Sequence, residues 1–357
     1  MRKPNLVLHI GTEKTGTTAI QEALAINRAT LAEHSIYVPD IFGRFNHRSA
    51  AYVFQAANKQ DRFDKNMGLC NDKEEKLKFK RVTKQKWISQ LRDTDYKKWI
   101  ISSEHFQSRL TSGSEVANLW TFLRHYYDDI NVVIYLRDPA YTAYASFSTR
   151  IKNGATPSSL LIDPARYENN CNHKKIIQRW LSVVPRHQLD VRLYDRAKLY
   201  GGDVVTDFFK GNDLKTSSLS RPAKANESLS LPALRLMLLL NKKIPTHLGL
   251  RVNPIRTNLN KFVASYFQHA PRYLPSVQCL QAFDKYYEPS IRYIREEFFP
   301  DSGQELWSRP KSVAERPVNG DIIYEDYEIE LSELVASIWI NKTSMLKKNE
   351  KLCHEIE

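Results

Sequence analysis

The chain has 357 residues, of which 42% are hydrophobic and 26% are charged, the profile of an ordinary soluble protein with one large domain or two modest ones. Its longest apolar runs, Val132–Leu136 and Leu236–Leu240, are far shorter than the ~18–20 residues that cross a bilayer, so no transmembrane segment is predicted. The net charge of +13 favours a polyanionic partner, but without a helix-turn-helix, zinc-finger or aromatic RNA-binding motif a nucleic-acid partner is not expected.

The N-terminus and the cysteines predict a cytoplasmic protein. The apolar run Leu6–Gly11 soon meets Glu13 and Lys14, so it indicates a first strand and not a signal peptide. The four cysteines lie far apart, with neither a CxxC pair nor zinc-type spacing. Free thiols in a reducing compartment, and no metal site, are therefore expected.

Strands and helices alternate through the first two hundred residues. Short apolar runs predict strands at Leu6–Ile10, Ile36–Val38, Trp99–Ser102, Asn131–Leu136 and Leu189–Leu193. One helical pattern follows Gly16, and a separate helical stretch ends at Ala57. Further helical patterns occupy Val116–Tyr126, Ala140–Lys152 and Ile176–Val183. The alternation predicts an α/β fold, with a central parallel sheet covered by helices on both faces.

Beyond about residue 200 the predicted strands stop, which indicates a helical C-terminal lobe. Its helices are expected at Val204–Phe209, Leu231–Leu240, Ile255–Phe267 and Ala282–Phe299. A proline-bearing linker, 308–323, then leads to a predicted C-terminal helix, 324–357, whose apolar seam is Leu331, Ile338, Met345 and Leu352. That helix either packs on its own domain or joins two copies in a homo-oligomer.

Residues 59–98 are strongly basic, with 13 Lys or Arg and 7 Asp or Glu. A solvated surface helix with flanking loops explains this composition. A rim that attracts an acidic substrate is the alternative.

The loop Gly11–Thr18 lies between the first strand and the first helix, where α/β folds bind phosphate through backbone N–H groups. Its two glycines, Gly11 and Gly16, have the spacing of a nucleotide-binding P-loop. Thr17, however, stands where a nucleotide triphosphatase has lysine, and the loop's lysine is Lys14. We therefore expect a phosphate site whose cation approaches from the other side.

This loop resembles the 5′-phosphosulfate loop of sulfotransferases that use 3′-phosphoadenosine 5′-phosphosulfate (PAPS). The resemblance implies a P-loop-like three-layer fold. It implies that Lys14 contacts the bridging oxygen of the departing phosphosulfate. The 5′-phosphate would be held by Thr15, Gly16, Thr17 and Thr18.

A second anion site is predicted where the strand Asn131–Leu136 ends in Arg137-Asp138-Pro139 before a helix. An Arg–Asp ion pair would give the same local sequence. Together with the first loop, however, it resembles the 3′-phosphate site of the sulfotransferases. The family's serine position falls here on Ala145, so Ser146 is chosen, with Ser148 as the reserve.

The acceptor side is predicted at the end of the strand Trp99–Ser102, where Glu104 and His105 follow. A hydroxyl acceptor must lose a proton as it attacks sulfur, so a base must lie within hydrogen-bond reach. Ser-Ser-Glu-His-Phe resembles a segment of bacterial sulfotransferases, which implies that Glu104, or else His105, is that base. A capping Glu beside a packed His is the structural alternative. Asn46-His47-Arg48 also resembles this subgroup, and His47 is expected to bind the acceptor.

The predicted function is therefore transfer of a sulfuryl group from PAPS to a hydroxyl or amine, with no metal, by a domain spanning residues 1–307. The resemblance covers about residues 4–300 and suggests a carbohydrate or cell-surface glycan precursor as acceptor. Two alternatives stay open. One is a P-loop kinase or NTPase in which Asp138 holds magnesium, and the other is a non-catalytic protein that binds polyanions through residues 59–98.

Overall fold

The computed structural model describes residues 3–69, 72–157, 162–214, 219–222, 229–248, 251–256 and 258–309. The chain divides into two compact units. Of the described residues, the first contains those within 3–146, 162–222 and 278–309, and the second contains those within 147–157 and 229–277.

A five-stranded, fully parallel sheet forms the centre of the first unit, with the strand order β2-β3-β1-β4-β5. The strands are β1 (Asn5–His9), β2 (Ile36–Tyr37), β3 (Lys98–Ser102), β4 (Ile130–Leu136) and β5 (Leu189–Leu193). All five predicted strands are thereby confirmed. Because β1 lies between β3 and β4, the loops that leave the carboxyl ends of these three strands are neighbours.

Both faces of the sheet are buried, and this explains why its strands are continuous apolar runs. On β1, Leu6 and Leu8 belong to one hydrophobic cluster, whereas Val7 belongs to the other. Ile101 and Ile100 divide in the same way on β3. The first unit therefore has three layers, helices on each side of a sheet, as the α/β pattern predicted.

The helices of the chain begin and end at residues whose caps are often visible in the sequence. Their bounds are α1 (Thr17–Ile26), α2 (Arg28–Glu33), α3 (Arg48–Phe54), α4 (Arg62–Asn66), α5 (Lys73–Asp93), α6 (His105–Arg109), α7 (Gly113–Tyr126), α8 (Pro139–Lys152), α9 (Glu168–Cys171), α10 (His173–Leu181), α11 (Val204–Lys210), α12 (Leu231–Lys243), α13 (Leu259–Tyr266) and α14 (Val277–Phe298). Asp72 caps the long basic helix α5, and Ser112 with Glu115 forms a capping box at α7.

The second unit is mainly helical, as predicted, but it also contains a short antiparallel hairpin of β6 (His247–Leu248) and β7 (Arg251–Val252). The expectation that strands stop after residue 200 was therefore wrong. The helix predicted over Ile255–Phe267 begins only at Leu259, because Pro254–Arg256 forms a 3-10 turn and Asn258 has φ 63°. Asn241 ties α12 to the end of α8 by donating to the carbonyls of Ile151 and Ala155, each at 2.9 Å.

The predicted C-terminal helix and nearly all of the predicted linker lie outside the described residues. Self-association through that helix stays a prediction. Within the part of the chain that is described, no helix is both long and apolar enough to cross a membrane.

Candidate active site

The loop between β1 and α1 is built from internal hydrogen bonds that leave little freedom to its backbone. Thr12 donates from its amide and its hydroxyl to the carbonyl of Tyr135, both at 3.0 Å. The Thr15 hydroxyl donates to the carbonyl of Thr12 at 2.7 Å. Both threonines are fully buried. Thr15, predicted to hold phosphate, therefore uses its hydroxyl to fix the loop.

Gly16 is the last residue before α1 and adopts the left-handed conformation, with φ 75°. A Cβ at this position would lie 2.7 Å from Val204 Cγ1 and 3.2 Å from Tyr194 Cε2. Glycine is thus required by both the backbone angle and the space. The first N–H groups of α1 have no partner within the helix, and Gly16, at the N-cap position, has no side chain that could accept from them. Thr17 is buried at this end, whereas Thr18 is exposed.

Lys14 lies in the same loop with φ 69°. Burial lowers the pKa of its ammonium group, while the charges of Glu13 and Glu104 act in the opposite direction. The Lys14 ammonium group is therefore within electrostatic reach of Glu104, which follows β3. A partly desolvated cation at this point interacts more strongly with an anion than a cation in water does.

Arg137, at the end of β4, joins the two predicted anion sites. Its Nη1 donates to the backbone carbonyl of Lys14 at 2.9 Å. The guanidinium also lies over the ring of Tyr194, 5.5 Å from its centroid. The loop after β1 and the arginine after β4 thus form one continuous surface.

Two solved structures are distantly similar to the chain. The chain is similar to a sulfotransferase from Alicyclobacillus acidocaldarius, with 16% identity, a TM-score of 0.37, and coverage of 68% of this chain and 93% of that one. It is also similar to a structure from the PezAT chromosomal toxin–antitoxin system of Streptococcus pneumoniae, with 13% identity, a TM-score of 0.29, and coverage of 68% and 86%. No protein-family model and no curated protein matches the chain. Both likenesses are distant, so the functional inference rests on the contacts of the site itself.

The start of α8 shows what Asp138 does. Its Oδ1 accepts from the amides of Ala140 and Tyr141, at 2.9 and 3.4 Å, and so caps the helix. Its Oδ2 accepts from Arg309 Nε at 2.7 Å. Both oxygens are engaged in structural contacts, which counts against the alternative in which Asp138 holds magnesium.

The two serine candidates on α8 differ in their contacts. Ser148 Oγ accepts from the amide of Leu229 at 3.1 Å, and both residues belong to the second unit, so this hydrogen bond is an internal contact of that unit. Ser146 Oγ is buried and has no hydrogen-bond partner among the described residues. Since buried hydroxyls are normally paired, Ser146 is the serine that has capacity for a ligand.

Glu104 is held at the end of β3 by two side-chain amides. Gln21 Nε2, from α1, donates to Oε2 at 2.8 Å, and Asn46 Nδ2 donates to Oε1 at 3.0 Å. Asn46 is itself fixed, because its Oδ1 accepts from Ser103 Oγ at 2.6 Å. Each carboxylate oxygen has a second lone pair, so the oriented carboxylate can still accept a proton.

His105 begins α6, and its Nε2 lies 3.8 Å from Glu104 Oε1. Burial, together with the charges of Arg48 and Arg109, lowers the pKa of its imidazole to about 4. Its Nδ1 is buried and has no hydrogen-bond partner within the described part of the chain. The imidazole is therefore neutral at pH 7.

His47 is buried against the end of β3. Its Nδ1 accepts from the amide of Ser102 at 3.0 Å, and its own amide donates to the Ser102 carbonyl at 3.2 Å. Burial lowers the pKa of His47 to about 3, so the ring is neutral and carries its proton on Nε2. The structure thus places His47 where it supports the strand that leads to Glu104, while its predicted contact with the acceptor stays a prediction.

Sequence reasoning missed three residues of this site, namely Gln21, Asn46 and Tyr194. Gln21 looks like an ordinary polar helix residue, and Asn46 was read only as a neighbour of His47. Tyr194 follows β5 directly, and its position at the end of a strand in a parallel sheet was the one signal available. Among the described residues, no group of three or more His, Cys, Asp and Glu side chains could hold a metal ion.

Proposed function

We propose that this chain is a sulfotransferase that moves the sulfuryl group of PAPS to a hydroxyl or amine of an acceptor. The observation that carries the proposal is the hydrogen bond from Arg137 to the carbonyl of Lys14. It brings a second cation, Arg137, beside the proposed phosphate site of the strand–loop–helix turn, as a nucleotide with two separate phosphate groups would need. Ser146 adds a buried hydroxyl without a partner among the described residues.

In this proposal the residues divide the work by charge. Lys14 neutralises the negative charge that grows on the 5′-phosphate as the bond from sulfur to its bridging oxygen breaks. Gly16, Thr17 and Thr18 supply backbone donors at the helix terminus, and Arg137 with Ser146 takes the 3′-phosphate. The new bond forms between sulfur and the acceptor oxygen, and adenosine 3′,5′-bisphosphate leaves with the electron pair.

Glu104 is the base that we favour for the acceptor proton. Its carboxylate is oriented by Gln21 and Asn46 and lies close enough to Lys14 to affect its pKa. His105 is the second choice, because its Nδ1 is buried and has no hydrogen-bond partner among the described residues, whereas two side-chain amides orient Glu104. The proton of the acceptor hydroxyl would therefore pass to a Glu104 oxygen.

The acceptor is proposed to be a carbohydrate or a precursor of a cell-surface glycan, on the basis of the resemblance to bacterial sulfotransferases alone.

The test is transfer from ³⁵S-labelled PAPS to a panel of glycans, with Lys14→Ala as the decisive variant. Losing one preorganised donor of this kind costs about 10²–10³ in rate. Lys78→Ala is the matched control, since its side chain is 61% exposed on α5. Near-normal turnover by Lys14→Ala would overturn the assignment of the loop.

Retention on immobilised adenosine 3′,5′-bisphosphate separates the proposal from its alternatives. A sulfotransferase binds without magnesium. A kinase or NTPase prefers ATP with magnesium, and a polyanion-binding protein is displaced by heparin and not by the nucleotide.

A further inference from the structure

Three consecutive residues around Arg137 are each held by a side chain from a distant part of the chain. The carbonyl of Leu136 accepts from Trp307 Nε1 at 3.1 Å, and the carbonyl of Arg137 accepts from His173 Nε2 at 2.8 Å. The carboxylate of Asp138 accepts from Arg309 Nε at 2.7 Å. We call residues 136–138 the β4–α8 turn.

The residues that hold this turn are themselves fixed. The Arg309 guanidinium also makes a two-pronged ion pair with Asp284 of α14, at 2.6 and 2.7 Å. His173 and Trp307 are buried, and their rings pack against each other with centroids 5.7 Å apart. Bidentate pairs and buried rings of this kind leave few alternative positions.

The turn's position matters because Arg137 extends from its middle. The arginine reaches Lys14 O and the Tyr194 ring from that one backbone position. The Leu136 carbonyl also accepts from the Tyr194 amide at 2.8 Å, so Trp307 and Tyr194 meet at the same oxygen. A shift of the turn would therefore move the guanidinium and the tyrosine together.

We propose that Trp307 and Arg309 are positioning residues for the 3′-phosphate of the nucleotide and act through Arg137. This inference rests on the proposed function. It adds that the selectivity for nucleotides with a 3′-phosphate depends on Trp307 and Arg309, which are far in sequence from the proposed phosphate loop. If the two residues only stabilise the fold, their loss weakens all nucleotides alike. If they position Arg137, their loss weakens nucleotides that carry a 3′-phosphate selectively.

The experiment compares Trp307→Phe with Trp180→Phe. The first change keeps an aromatic ring and removes only the donor to Leu136. The second is a matched control, because Trp180 is also buried and its Nε1 has no hydrogen-bond partner in the described chain. Calorimetry measures the Kd of each full-length variant for adenosine 3′,5′-bisphosphate and for adenosine 5′-monophosphate.

We expect Trp307→Phe to weaken the bisphosphate by about tenfold or more, the range seen when a supporting partner of a binding group is removed. Binding of the monophosphate should change by less than threefold, and Trp180→Phe should change neither. In an Arg137→Ala background, Trp307→Phe should have no further effect on the bisphosphate, because the residue through which it acts is gone.

If Trp307→Phe weakens binding of both nucleotides equally, or leaves the ratio of their Kd values unchanged, the inference is overturned while the proposed function stays in place. A wild-type protein that does not prefer the bisphosphate would overturn the proposed function, and the inference with it. Should Trp307→Phe fail to fold, Arg309→Gln makes the same test through a side chain that is 25% exposed.

Discussion

Replacing Gly16 with alanine tests the geometry of the loop between β1 and α1 most directly. The left-handed backbone costs an alanine roughly 1–2 kcal/mol. The new Cβ would also lie 2.7 Å from Val204 Cγ1, and overpacking of this kind costs ~1–3 kcal/mol. The free energy of unfolding should therefore fall by about 2–5 kcal/mol in all. Affinity for adenosine 3′,5′-bisphosphate should fall too, because Gly16 sets the direction of the first turn of α1.

Gly68 offers a matched control for this change. Its φ is 70°, but a Cβ there would have nothing within 4 Å. Gly68→Ala should lower the free energy of unfolding only by the cost of the left-handed backbone, roughly 1–2 kcal/mol, and should leave nucleotide binding intact. Val204→Ala should relieve Gly16→Ala, so the double variant should lose less than the sum of the single ones. Denaturant unfolding and calorimetry measure these quantities, and equal losses for Gly16→Ala and Gly68→Ala would refute the reasoning.

Three further predictions concern the charged groups. Arg137→Ala should weaken adenosine 3′,5′-bisphosphate more than adenosine 5′-phosphosulfate in calorimetry, although both should weaken because the hydrogen bond to Lys14 is lost. Glu104→Gln should keep nucleotide binding and lose turnover in the ³⁵S transfer assay, and a dead His105→Ala beside an active Glu104→Gln would reverse the ranking of bases. His47 has a pKa of about 3 in the fold, so its neutral ring contributes stability above pH ~6.5 that should be lost as the pH falls, by at most ~1.4 kcal/mol per pH unit. In unfolding curves, His47→Gln should reduce the slope of the unfolding free energy against pH by that contribution, while the contribution of His105 remains.

The sheet could be predicted because its strands are buried on both faces. Such strands appear as short, nearly unbroken apolar runs, as in Val132–Leu136. The hairpin β6–β7 could not, since strands of two residues carry no periodicity. The predicted helix over Ile255–Phe267 is shorter in the structure because Asn258 has a left-handed backbone angle, which the neighbouring residues in the sequence do not predict.

The candidate site was partly visible for a related reason. Lys14 and Arg137 stand beside strand ends, and a parallel sheet brings the carboxyl ends of neighbouring strands to one edge. Gln21, Asn46 and Trp307 escaped notice because their roles depend on partners far away in sequence, such as Glu104 and Leu136. Contacts of this kind leave no local pattern to read.

The long sequence separation between the β4–α8 turn and two of the residues that hold it has a consequence for synthesis on the ribosome. Arg309 lies 171 residues downstream of Asp138, and Trp307 lies 171 downstream of Leu136. At ~5–20 residues per second, that stretch takes roughly 10–30 s to translate. The parallel sheet can assemble from the emerging chain during this interval, but the turn that carries Arg137 lacks two of its three anchors until residues 307 and 309 have left the exit tunnel. A nascent chain therefore acquires its strands well before the proposed nucleotide site around Arg137 is fixed.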